Sequence, residues 1–222
     1  MALLLLADHP RDAGVVVLQE ISDDGQPGRA TEAPRDAMAR AVAQREGEHP
    51  RWVWDDTSRW YPPLLEGGVR VERCHDLRLC HAVLRRSTSC AGSVLALAAA
   101  GPWDEPRPGA PVPAPASLFD EPGPAPGPAA GPDAAAELRR QLEAVAGSAE
   151  PGRLRLLLAA ESSGALVAEE LRRDGLPWSV EKHDELLREV LGERPRGSAR
   201  PARLEALAEE VRTALDRPGL NL

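Results

Sequence analysis

Between residues 101 and 132 the chain has no pattern that could fold, because 11 of its 22 prolines and five of its glycines fall in that segment. Proline supplies no N–H and fixes φ, glycine is costly to order, and beyond "SLF" few apolar side chains remain to bury. "GPWDEPRPGAPVPAPASLFDEPGPAPGPAAGP" therefore reads as a flexible, partly polyproline-like linker. It leaves two stretches, residues 1–100 and 133–222, each to be explained by itself.

The first stretch alternates. "ALLLLAD" and "GVVVLQEI" are short apolar runs bounded by Asp, Pro and Gly, so they predict strands, the second closed by the turn "DDGQPG". "TEAPRDAMARAVAQRE" carries helical spacing with Thr31 as N-cap. "RWVWDD" predicts a strand, "TSRWYPPLLEGG" a short helix, "VRVERC" a strand and "DLRLCHAVLRR" a helix. The order β-β-α-β-α-β-α indicates an α/β domain. The second stretch predicts only helices: "DAAAELRRQLEAVAG", then "RLRLLLAAESSGALVAEELRRDG" stopped by Gly175, then one begun by Ser179 and one begun near Pro201.

The net charge of −8 argues against strong non-specific binding to nucleic acid or anionic membrane, while leaving room for a local arginine surface. Three cysteines do not make a disulfide framework. "MALLLLADHPRD" lacks the basic start and length of a signal peptide, and no apolar run reaches the roughly 20 residues of a membrane helix. The expectation is a reduced, cytoplasmic chain without membrane partners.

Several residues invite a chemical reading. Cys74-His75 and Cys80-His81, with Cys90 beyond, have the wrong spacing for a zinc site and read as small buried thiols plus surface histidines. Neighbours on a strand face opposite ways, so Cys74 and His75 do not form a nucleophilic pair, and Asp76 reads as the N-cap of the next helix. There is no phosphate-binding glycine loop and no G-x-S-x-G elbow, since "ESSG" lies within a helical pattern. Trp52, Trp54, Trp60 and Tyr61 crowd into residues 51–61, and they read as core aromatics.

The block "RWVWDDTSRWYPPLLEGGVRVERCHDLRLCHAVL" resembles the second half of the 3′–5′ exonuclease-like domain of family A DNA polymerases, in particular the actinobacterial bifunctional 3′–5′ exonuclease/DNA polymerase type. "RLRLLLAAESSGALVAEELRRDGLPW" is similar to the helix that enters the polymerase domain, with Glu161, Leu166, Leu171 and Gly175 as landmarks. "GLNL" looks like the opening of the thumb motif, as far as Leu222. The resemblance implies a degenerate ribonuclease H-like domain over residues 1–100, the linker, and a thumb stem over residues 133–222. Fingers and palm, with their magnesium-binding aspartates, would lie downstream.

An active exonuclease of that family holds two metal ions through Asp-x-Glu on its first strand, an Asp on a later helix, and Tyr-x-x-x-Asp near the domain's end. No Asp-x-Glu occurs here, and the strand expected to carry it reads "VVVLQE". Trp60 takes the place of the helical Asp, and Ala129 that of the Tyr before Asp133, the one possible remnant. The resemblance thus implies a scaffold without catalytic or metal-ligating residues, and no cofactor for this chain, although Mg2+ belongs to the full-length family. DNA is the implied partner in the parent polymerase, with Arg196, Arg200 and Arg203 as phosphate-contact candidates. Exposed Leu204, Leu207, Val211 and Leu215 would favour self-association. The rival readings are an active exonuclease with other ligands, and a non-catalytic protein-interaction module.

Overall fold

The computed structural model describes residues 2–105, 133–193 and 200–217. β1 (Leu3–His9) and β2 (Asp12–Ile21) form an antiparallel hairpin, and β3 (Pro27–Pro34) extends it along β2. The chain crosses through α1 (Met38–Glu46) to β4 (Arg51–Trp54), parallel to β1, and through α2 (Thr57–Glu66) to β5 (Cys74–Asp76), parallel to β4. The five strands lie in the order β3-β2-β1-β4-β5. Beyond β5 come α3 (Leu77–Arg86), the short α4 (Val94–Leu97), α5 (Ala134–Ala146) and α6 (Pro151–Asp174).

Because side chains alternate along a strand, β1 and β4 supply a core to each face of the sheet. Leu4, Leu6, Trp52 and Trp54 point to one side, against Met38 and Val42 of α1, Trp60, Tyr61, Leu64 and Leu65 of α2, and Leu166 of α6. Leu3, Leu5 and Val53 point to the other, against Leu77, Trp103 and Leu138. A third cluster joins α3 to α6 through Cys80, Leu84, Leu95, Ala144, Val145, Leu154 and Leu158. Tyr61 also donates to Glu170 Oε1 at 2.6 Å, tying α2 to α6. α1 and α2 approach closely because Gly67 has no side chain: a Cβ there would lie 2.5 Å from that of Ala39.

The crowded aromatics are indeed core. Trp52, Trp54, Trp60 and Tyr61 are at most 1% exposed. The polar end of each indole is satisfied, Trp52 on Glu46 and Trp54 on Thr57.

Three expectations need correcting. Thr31 caps no helix; it lies in β3, opposite Leu18, and the helix starts only at Met38. Pro34 explains this, since the residue before a proline is driven to extended backbone and β3 is an edge strand with an exposed face. "VRVERC" is strand only at its final residue, where β5 begins. Residues 101–105 of the expected linker are packed: Trp103 is buried among Leu3, Leu5 and Leu138, and Arg78 holds the carbonyls of Pro102 and Glu105. The remainder of that segment, 106–132, lies outside the described residues.

The largest difference concerns residues 133–174. Expected to enter a separate domain, α5 and α6 instead belong to the same compact unit as the sheet, which runs to Asp174. The second unit begins at Gly175, whose φ of 74° suits glycine alone, and contains α7 (Val180–Leu191) and α8 (Ala202–Ala214). Ser179 caps α7 as expected, accepting from Lys182 N at 3.2 Å. Leu204, Leu207 and Leu215 of the anticipated stripe are exposed, and Val211 is half-buried. Among the described residues no helix is long and apolar enough to cross a membrane.

Candidate functional site

The last residues of β1, the segment after β4 and the first turn of α5 open onto a cleft of about 730 Å³. Its wall carries Asp8, Asp12, Asp55 and Asp133, together with His9, Arg11, Arg35, Arg59 and Trp60. Asp8 ends the apolar run of β1, where the hydrogen-bonding register shifts between Asp8 and His9. Asp55 follows β4 directly, and Asp133 caps α5, its Oδ1 accepting from Ala136 N at 2.9 Å. A parallel arrangement of β1 and β4 brings their carboxyl ends to the same edge, which is why residues so distant in sequence meet.

Both oxygens of Asp8 are occupied. Oδ1 accepts from Arg35 Nη2 and Oδ2 from Arg59 Nη2. Arg59 reaches on to Asp55 Oδ2 at 3.1 Å, and Trp60 Nε1 donates to Asp55 Oδ1. The Arg59 guanidinium also lies 4.5 Å from the Trp60 ring centroid, and that of Arg35 lies 5.5 Å away. Burial pushes the Asp8 carboxyl up, but the two guanidiniums outweigh it and hold the group below its ordinary value of 3.8. Burial likewise lowers Arg59, and Asp8 with Asp55 more than restores it.

A carboxylate held below its ordinary value stabilises the fold above that value, and the contribution disappears as acid titrates it. Acid unfolding of the Asp8→Asn variant is therefore expected to have a shallower stability slope than the wild type below about pH 4. Parallel slopes, measured by urea unfolding across that range, would remove Asp8 from the acid response.

The residues singled out from the sequence fall in different places. Asp133 borders the cleft and Trp60 forms part of its wall. Arg196 lies outside the described residues. Arg200 is exposed ahead of α8, and Arg203 donates to the carbonyls of Glu189 and Val190, closing the end of α7. These two arginines belong to the second compact unit, Asp133 to the first.

Asp133 is not the cleft's one carboxylate. "VVVLQE" belongs to β2, and the first strand is Leu3–His9, so Asp8 was overlooked by one strand. Its signal in the sequence is an Asp ending the most apolar run of the chain. Asp-x-Glu remains absent, because Asp8 is followed by His9 and Pro10.

The thiols of the cysteine-histidine pairs are buried as expected, but of the two histidines expected at the surface His81 is only 5% exposed, packed inward where Glu137 and Asp104 take its ring nitrogens. Cys74 and Cys80 are fully buried, and burial raises both thiols to about 12. His75 turns away from Cys74 to Gln141, 2.8 Å distant, with Cys80 Sγ 3.8 Å from its other nitrogen. Burial lowers the His75 imidazole, so neither partner is activated. Asp76 is the helix cap expected of it, accepting from Leu79 N at 3.0 Å and from Thr57 N at 2.7 Å. Ser162 of "ESSG" is buried, its Oγ accepting from Asp76 N at 3.1 Å.

Magnesium does not fit the cleft. It demands near-octahedral oxygen ligands, and each oxygen of Asp8 and Asp55 already receives an N–H, three of the four from a guanidinium. Among the described residues no group of three or more His, Cys, Asp or Glu is placed to hold a metal ion. Compared with protein-family models, with curated proteins and with solved structures, the chain shows no significant match in any of the three.

Proposed function

We propose that the chain is the N-terminal part of a family A DNA polymerase, and that its α/β unit is a ribonuclease H-like, exonuclease-type domain that has lost catalysis and serves as scaffold. The observation that carries this reading is the strand order β3-β2-β1-β4-β5, three antiparallel strands followed by two parallel crossovers, with Asp8, Asp55 and Asp133 at one edge. The exonuclease-like resemblance calls for carboxylates on the first strand, and Asp8 near the end of β1 is the carboxylate that this strand directs into the cleft. On this reading, the arginines bound to Asp8 and Asp55 account for the loss of metal-dependent hydrolysis. On this reading DNA is a partner of the parent enzyme, Mg2+ serves the palm downstream, and the protein works in the cytoplasm.

The nuclease half is tested on 5′-labelled single-stranded DNA with Mg2+ or Mn2+, where no shortening is expected. Shortening that chelation stops, and that survives Asp133→Ala, would overturn the scaffold reading in favour of an active exonuclease with other ligands. The polymerase half is tested by the coding sequence beyond the Leu222 codon. Continuation through the thumb into palm motifs with two aspartates is expected. A coding sequence that continues without them favours a protein-interaction module, for which exposed Leu186, Val190 and Leu207 of α7 and α8 would be the contact surface.

A further inference from the structure

Arg35 and Arg59 approach Asp8 from separate elements, the turn after β3 and the first turns of α2. Each has an anchor besides Asp8. Arg35 Nε donates to the Ala13 carbonyl at 2.9 Å, and Arg59 Nη1 lies 3.1 Å from Asp55. Both guanidiniums lie within 5.5 Å of the Trp60 ring centroid, an indole that is 1% exposed. They are thus held in place by the fold rather than drawn in from solvent. Two fixed positive charges face Asp8 and Asp55, two negative ones, at the edge where the exonuclease-like reading calls for two divalent cations.

We infer that the Arg35–Arg59 pair is a built-in replacement for those metal ions: Arg59 holds Asp8 and Asp55 together as a bridging cation would, Arg35 occupies the other oxygen of Asp8, and the pair shuts divalent metal out of the cleft. The inference rests on the exonuclease-like reading for the position of the metals. A guanidinium neutralises carboxylates and fixes their geometry, but it has no exchangeable water to ionise, so it keeps the architecture while removing the nucleophile. An approaching dication meets two like charges and finds the carboxylate oxygens taken. Deleting both guanidiniums frees both oxygens of Asp8 and Oδ2 of Asp55, with Asp133 and Asp12 on the same cleft wall.

The test is a Mn2+ titration of the full 222-residue chain, followed by the electron paramagnetic resonance signal of the free ion. Wild type and Asp8→Asn are expected to take up Mn2+ equally weakly. The double variant Arg35→Gln, Arg59→Gln is expected to bind Mn2+ roughly tenfold more tightly, a difference of about 1.4 kcal/mol. Adding Asp8→Asn to it should abolish the gain. Stronger binding by wild type than by Asp8→Asn overturns the inference, as does a double variant with native circular dichroism and no gain. If the double variant fails to fold, the single variant Arg59→Gln, which frees one oxygen each of Asp8 and Asp55, is titrated instead: tighter Mn2+ binding than wild type is expected, and native circular dichroism with no gain overturns the inference. Missing palm motifs downstream would overturn the polymerase reading and leave the ion-binding result standing, so the two failures are distinguishable.

Discussion

A chain ending at residue 100 is expected to collapse without fixed tertiary structure, whereas one ending at Asp174 should unfold as a single cooperative unit. The sheet and its first helices cannot close their own core. Leu138, Leu154, Leu158 and Leu166, all at most 5% exposed, come from α5 and α6, and each contributes about 1.5–3 kcal/mol on burial. Their loss amounts to roughly 6–12 kcal/mol, comparable with the roughly 5–15 kcal/mol that stabilises a whole domain. The polar side agrees, since Gln141 Nε2 satisfies the Leu77 carbonyl and Ser162 Oγ the Asp76 amide. Near-ultraviolet circular dichroism reads the outcome through Trp52, Trp54 and Trp60. A native-like spectrum from residues 1–100 would sink the prediction.

Glu137→Ala should destabilise the same unit by about 3–5 kcal/mol, lowering its melting temperature by roughly 10 °C or more. Glu137 is completely buried, with two hydrogen-bond donors on Oε1 and only the ion pair with Arg140 near Oε2, which receives no hydrogen bond. His81 Nδ1 and Gln141 Nε2 each lie 2.7 Å from Oε1, and Arg140 Nη2 lies 3.2 Å from Oε2. His81 continues to Asp104 at 3.4 Å, which Arg85 Nε also reaches at 2.7 Å. Burial pushes Asp104 up, but the Gly101 amide, His81 and Arg85 hold it below its ordinary value. Removing Glu137 strands buried donors on α3 and α5 at once, which costs more than an exposed ion pair of the same length. Glu137→Gln keeps an acceptor for His81 and should lose about half as much. A loss below about 1 kcal/mol for Glu137→Ala, by calorimetry, would show that the network is not structural.

The sequence was most informative where a local rule has no competitor. The apolar run "LLLLAD", the strand "RWVW", the Asp76 cap and the helical spacing after residue 133 all reappear as elements at those positions. β3 was missed because Thr31 and Glu32 are exposed on an edge strand, so no apolar alternation marks it. The place of α5 and α6 was missed because helical spacing tells which face is apolar, not what covers it. At the cleft, Asp133 and Trp60 were located, whereas Asp8, Asp55, Arg35 and Arg59 were not. Their meeting depends on β1 lying beside β4, a pairing of residues about fifty apart that no local pattern encodes.

Trp103 and Leu138 bury themselves in the same cluster, on the same face of the sheet. Glu105 and Asp133, on either side of residues 106–132, belong to one compact unit, so the chain between them joins two parts of one domain rather than two domains. The cost of closing such a loop rises by only about 0.6 kcal/mol for each doubling of its length. Two separately made halves, divided there, hold complementary surfaces of one core and have every physical reason to find each other again.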